Sequence, residues 1–298
     1  MNLPTRLLVL TFAIGFVTFG TSAPAQDAKA TIARQKETIV ANLKKADITQ
    51  TTIFETDHYF IVSALPEEKA KALGAVLEKA VTLARKSLQY DVKDEVWKGK
   101  LAVYYLPEGR DFKSFIRSVI MMKPEGVHYD VRSDAPFVVD PVEVPGKATE
   151  SEMFATTAAD VAAAYMKARG TTANIPDWLR IGFGKATALR AEGVNSTRYQ
   201  NFKKQAKSVA VGSKGNPPAA IGDLWAENRL ANTETLAASF VEYMAYGPGA
   251  ENFLKLVYGF RPDENGNPVS VAQAFEAAGW KDTAALEKAW QKWAGTGK

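Results

Sequence analysis

The chain has 298 residues, with 37 lysines and arginines, 33 aspartates and glutamates, two histidines and no cysteine. The absence of cysteine excludes structural disulfides and a lipid anchor attached through cysteine. A formal net charge of +4 is small for this length, and no cluster of basic residues carries interleaved aromatic side chains, so no nucleic-acid-binding surface is expected.

Residues 1–25 are typical of a secretory signal peptide. Arg6 is the one charged side chain of this segment, and an uncharged, mostly apolar run follows it. This run is shorter than the roughly 20 apolar residues of a membrane-spanning anchor, which is the alternative interpretation. Alanines stand three and one positions before Gln26, as in a signal-peptide cleavage site. We therefore predict cleavage before Gln26 and a periplasmic or secreted protein with no stable membrane anchor.

Residues 26–148 combine β patterns with amphipathic helices. Apolar residues at helical spacing predict a charged N-terminal helix and two further helices, over 28–46, 66–88 and 110–120. Runs rich in β-branched and aromatic side chains predict strands at 53–55, 58–62, 100–106, 126–131 and 136–139. We therefore expect a mixed sheet covered by helices in this half of the chain.

From residue 149 onward the strand signal almost disappears. Helices are predicted over 149–169, 176–192, 196–209, 234–246, 250–258, 270–278 and 283–294. Strands followed by helices are typical of an α+β fold. The predicted organisation is an N-terminal helical extension at 26–48, a sheet-containing lobe at 49–148 and a helical lobe at 149–298.

Three stretches of the chain resemble the peptidase-MA-like gluzincin domains of exported bacterial proteins. Thr56–Val62 is similar to the family's opening strand, and the helical region Ala238–Trp290 is similar to its closing helices. Ile175–Gly184 contains Pro-x-Trp-Leu-x-x-Gly, which is similar to the family's Pro-x-Trp-Leu-x-Glu-Gly-x-Ala signature. The resemblance covers most of residues 50–294 and implies a zincin-like α+β fold.

The same resemblance implies that the family's metal site is lost. In such enzymes a His-Glu-x-x-His helix supplies two zinc ligands and a general base, and the Glu of the Trp-Leu-x-Glu-Gly element supplies the third ligand. The best superposition places Ala159 and Ala163 at the two histidines, Asp160 at the base and Ile181 at the third ligand. Alanine and isoleucine have no donor atom, so we expect these positions to be vestigial, with no catalytic residue, metal or cofactor.

The histidines of the chain cannot restore this motif. Neither His58 nor His128 is followed by Glu, and they do not stand four residues apart. Both lie on predicted strands, where a partly buried sheet residue is the simplest interpretation. A site made of carboxylates alone would suit calcium or magnesium better than zinc.

These observations predict a pseudopeptidase that binds a peptide or an envelope protein without cleaving it. In the fold that the chain resembles, the sheet presents an edge strand beside the catalytic helix, and an extended segment can add to it by main-chain hydrogen bonds. The candidate edge consists of Pro136, Phe137, Val138, Val139 and Asp140. The alternatives are an active hydrolase or metallopeptidase with an atypical site, and a structural domain that supports a larger envelope assembly.

Overall fold

The computed structural model describes residues 23–107, 109–141, 149–213, 215–225 and 233–296. Most of the predicted signal peptide lies outside the described residues, and its last three residues belong to the first helix. A mixed sheet in the N-terminal half precedes a mostly helical C-terminal half, which confirms the predicted α+β class. In the part of the chain that the structure describes, no helix combines the length and the apolar character needed to cross a bilayer.

The sheet has five strands in the order β1-β2-β3-β5-β4. The central strands β2, β3 and β5 are parallel, and the outer strands β1 and β4 run antiparallel to their neighbours. Every residue of β2 and β3 is buried, which explains why their apolar runs are continuous rather than alternating. The bounds are Thr52–Glu55 for β1, Tyr59–Ser63 for β2, Leu101–Leu106 for β3, His128–Asp130 for β4 and Phe137–Pro141 for β5.

The prediction that residues 136–140 form the exposed edge of the sheet is wrong. Val138 pairs with Val103 of β3 on one side and with Tyr129 of β4 on the other. Its side chain is completely buried. The outer strand at this end of the sheet is β4, whose three residues are half-buried. Local sequence identifies both segments as strands, but their order in the sheet depends on long-range pairing.

The helices match the predicted elements to within a few residues at their ends. Pro66 precedes α2, and glutamates in its first turn and basic residues in its last turn complement the helix dipole. The chain continues from α3 into one π-helical turn, Ile116–Ile120. The bounds are Ala23–Lys45 for α1, Glu67–Ser87 for α2, Gly109–Phe115 for α3, Glu150–Gly170 for α4, Asp177–Ala191 for α5, Thr197–Val211 for α6, Thr233–Tyr246 for α7, Ala250–Gly259 for α8, Val271–Ala277 for α9 and Thr283–Thr296 for α10.

The two faces of the sheet belong to two hydrophobic clusters. On one face, Ile39 and Leu43 of α1 and Phe115 of α3 pack with side chains of β2, β3 and β5. On the other face, a larger cluster extends from β2 and β3 through α2 and α4 to α5 and the C-terminal helices. Because this cluster joins both predicted lobes, the boundary at residue 149 separates two kinds of secondary structure and not two hydrophobic cores.

Candidate functional site

Helix α4 supplies one wall of the candidate site. It begins with a capping box, in which the Thr149 hydroxyl accepts from the Glu152 amide at 3.3 Å and the Glu152 carboxylate accepts from the Thr149 amide at 2.7 Å. Further along, alanines recur every fourth position at Ala155, Ala159 and Ala163. This spacing places their methyl groups on one face of the helix, next to α5.

Helix α5 lies very close to its two neighbours because it contains two glycines. A Cβ atom added to Gly184 would overlap the backbone carbonyl of Ala159 in α4, and one added to Gly182 would lie 2.7 Å from the carbonyl oxygen of Ala237 in α7. At the start of α5, the buried Trp178 ring packs against aromatic rings of α7 and α9. The Pro-x-Trp-Leu-x-x-Gly element thus packs α5 against α7 and α9, and Gly184, two residues beyond it, packs α5 against α4.

The four positions at which the resemblance places zinc chemistry come together in space. Ala159, Asp160 and Ala163 of α4 and Ile181 of α5 all line one groove with a volume of about 450 Å³. The groove is also lined by Glu152, Ala155, Thr156, Arg180, Lys185, Ala188, Leu189, Arg198 and Glu234. We call the aliphatic side chains of this lining the floor of the groove and the charged side chains its rim.

The three basic side chains that line the groove each pair with a carboxylate. The Lys185 ammonium lies 3.0 Å from a carboxylate oxygen of Glu234, at side-chain exposures of 39% and 76%. Arg198 forms a more buried pair with Glu192, at 2.6 Å. An exposed pair such as Lys185–Glu234 contributes little to stability, with a typical value of about 0–1 kcal/mol. Lys185 and Glu234 can therefore exchange each other for a charged group of a ligand at a small cost in free energy.

At one end of the groove, Arg180 connects α5 with the outer strand. Burial lowers the pKa of Arg180, but its hydrogen bond to Asp177 and the nearby Tyr129 and Asp160 outweigh this effect, so the net shift is upward. Burial raises the pKa of Tyr129. A charged guanidinium thus lies 5.9 Å from the centre of a neutral phenol ring. Tyr129 of the outer strand β4 is thus a neighbour of Arg180, which lines the groove.

Neither histidine lies in this groove. His58 is held at the turn between β1 and β2, where its Nδ1 lies 2.6 Å from Glu78 of α2. His128 is on β4, and its Nε2 is buried without a hydrogen-bond partner among the described residues. Within the described ranges, no group of three or more histidine, cysteine, aspartate or glutamate side chains is arranged to hold a metal ion.

No protein-family model, curated protein or solved structure matches this chain. The gluzincin resemblance therefore stays a prediction that depends on the quoted motif residues. The groove itself is a property of the fold and does not depend on that resemblance.

A second polar cluster, which was not predicted from the sequence, lies inside the helical half. Glu242 is fully buried, and its Oε1 accepts hydrogen bonds from Arg190 at 2.6 Å and from the Tyr199 hydroxyl at 2.5 Å. The Lys203 ammonium lies 3.3 Å from Oε2 and 3.9 Å from the centre of the Trp293 ring. The cluster joins α5, α6, α7 and α10. One signal could have revealed it, because Glu242 is the single charged residue between positions 236 and 246.

Burial and the contact with Glu242 both raise the pKa of Tyr199. The phenol therefore stays protonated and donates to the carboxylate. Glu242, Arg190 and Lys203 do not line the groove, so this cluster stabilises the scaffold behind it.

Proposed function

We propose that this protein is an exported, non-catalytic pseudopeptidase that binds a peptide or an extended segment of an envelope protein in the groove between α4 and α5. One observation carries the proposal: Ala159, Asp160, Ala163 and Ile181 line the same groove although they come from two helices. The N-terminal signal pattern supports export.

The lining of the groove suits peptide binding better than metal chemistry. A zinc site requires nitrogen, sulfur or oxygen donors at about 2.0–2.3 Å, whereas three of the four converging positions carry aliphatic side chains. Small methyl groups allow the backbone of a ligand to approach the floor closely. Ile181 is 41% exposed and offers an apolar contact that a bound peptide would cover. The charged rim supplies polar partners that fix the orientation of the ligand.

The outer strand β4 provides a second contact for an extended ligand. It pairs with β5 on one side, and no other described strand pairs with its opposite side. A peptide could add there by main-chain hydrogen bonds. Because Tyr129 of β4 lies near Arg180 of the groove, one peptide could contact both the strand and the groove floor.

The proposal is tested by comparing the peptide affinity of residues 26–298 with that of a variant changed in the groove. Peptides selected from a random library displayed on phage are titrated against the wild-type protein and against Ile181→Lys. We expect Ile181→Lys to weaken binding by roughly tenfold or more, because it places a charge where an apolar contact was made. Ile181 is exposed, so the substitution should leave the fold intact.

Val92→Lys is the matched control. Val92 is 95% exposed and does not line the groove, so this variant should bind the selected peptides like the wild type. Equal affinity of all three proteins would overturn the proposal.

The enzymatic alternative is tested on the same preparation. Stoichiometric zinc in the purified protein, together with chelator-sensitive cleavage of casein, would establish a metallopeptidase instead. We expect intact casein with and without chelator.

A further inference from the structure

The methionines differ sharply in their exposure. Met121 and Met122 are 77% and 58% exposed, whereas Met166 and Met244 are completely buried. Met153 is half-buried and its sulfur accepts a hydrogen bond from the Tyr105 hydroxyl at 3.8 Å. Two adjacent thioethers are thus presented to solvent on the connection between α3 and β4.

The backbone around this pair is well defined. Met121 ends the π-helical turn Ile116–Ile120 in the left-handed conformation, with φ 59° and ψ 40°, which few non-glycine residues adopt. The amides of both Met121 and Met122 donate to the carbonyl of Ile116, whose side chain is buried. The exposed sulfur atoms therefore belong to a fixed turn and not to a frayed end.

We propose that Met121 and Met122 form the oxidation site of this protein for two-electron oxidants such as hydrogen peroxide, and that the fold tolerates the change. A sulfur lone pair attacks one peroxide oxygen, so that an S–O bond forms and the O–O bond breaks. The sulfur loses two electrons, and the departing hydroxide takes the proton of the transferred oxygen to become water. The product is methionine sulfoxide.

The chain offers no competing thiol, because it contains no cysteine. Oxidation of a buried methionine would place a polar sulfoxide in the core, which is unfavourable without a hydrogen-bond partner. At Met121 and Met122 water can solvate the new oxygen atoms. These two positions are therefore expected to react first and with little structural consequence.

The test treats the folded protein with increasing hydrogen peroxide and locates sulfoxides by peptide mass spectrometry. Met121 and Met122 should react roughly tenfold or more faster than Met166 and Met244, because buried sulfurs react only after local opening. The buried methionines of the same sample are internal controls, and protein unfolded in urea should lose the difference.

Circular dichroism and the melting temperature of the oxidised protein test the second part of the proposal. Both should match the untreated protein, and over the peroxide range that oxidises Met121 and Met122 in the wild type, Met121→Leu/Met122→Leu should keep Met166 and Met244 unmodified. Equal reactivity of buried and exposed methionines in the folded protein would refute the site. A large fall in melting temperature while Met166 and Met244 are still unmodified would refute the tolerance.

Discussion

Glu242 is the centre of the buried polar cluster in the helical half. Its carboxylate is surrounded by Arg190, Lys203 and the Tyr199 hydroxyl, and it has no exposed surface. Removing one partner of a buried ion pair leaves uncompensated charge in a medium of low polarity. Here the carboxylate has two cationic partners, so its loss would leave both cations uncompensated.

We therefore expect Glu242→Gln to lower the free energy of unfolding by about 3–5 kcal/mol. Urea denaturation followed by circular dichroism measures this change. Glu251→Gln on α8 is the control, because Glu251 is exposed and such substitutions usually change stability by less than about 0.5 kcal/mol. Equal midpoints for the two variants would show that the cluster contributes little.

At the scale of elements, the contact between α4 and α5 shapes the groove. Gly184 allows the two helices to approach until the Ala159 carbonyl occupies the place of a side chain. A backbone atom cannot rotate away from an added methyl group, so the helices would have to separate.

Gly184→Ala tests this contact. Alanine is favoured over glycine within a helix by about 1 kcal/mol, whereas overpacking costs about 1–3 kcal/mol. Because the obstacle is backbone, we expect net destabilisation of about 1–2 kcal/mol in urea denaturation. Gly222→Ala is the matched control, since nothing lies within 4 Å of its added Cβ. A more stable Gly184→Ala protein would contradict the close approach.

Local sequence determines which elements form, but not how they pair. The helical spacing of apolar residues in α2 and the runs of β-branched and aromatic residues in β2 and β3 were sufficient to predict those elements. The order of β4 and β5 was not predictable, because it depends on the pairing of β5 with β3, in which Phe137 lies opposite Ala102 far earlier in the chain. The π-helical turn after Phe115 was also missed, since its residues have the apolar spacing of an ordinary helix.

The candidate site was also predictable only in part. The resemblance predicted which residues are vestigial, and the structure brings Ala159, Asp160, Ala163 and Ile181 to one groove. The charged rim was not predicted, because Arg198 and Glu234 come from other helices and reach the groove only through packing. Glu242 was missed for a similar reason, as its partners lie 39 to 52 residues away in sequence.

At the scale of the whole molecule, one hydrophobic cluster connects the sheet with the helical half. Trp97 lies in the sheet-containing half, and the centre of its ring is 4.5 Å from the centre of the Tyr165 ring in α4. The other tryptophans follow residue 149. Disruption of either half would thus expose apolar surface in the other.

We therefore expect a single cooperative unfolding transition. Tryptophan fluorescence and far-ultraviolet circular dichroism should give the same urea midpoint, as in two-state unfolding. In a variant that keeps Trp97 and has phenylalanine at the other tryptophan positions, fluorescence reports the sheet-containing half alone. The urea midpoint from this fluorescence should equal the midpoint from circular dichroism of the same variant. Two separated transitions would indicate that the halves unfold independently.

The position of α1 has a consequence for how the chain assembles. This helix is synthesised before every strand that it covers, and the buried Gln35 amide bonds to the carbonyl groups of Lys98 and Asp134, 63 and 99 residues later. Most of the stability of a helix in a protein comes from tertiary packing of its apolar face. The apolar side chains of α1 thus have no complete docking surface until β5 has been synthesised. Loop closure over that distance slows the packing of α1 on the sheet. The first helix of the described residues is in this way among the last to pack.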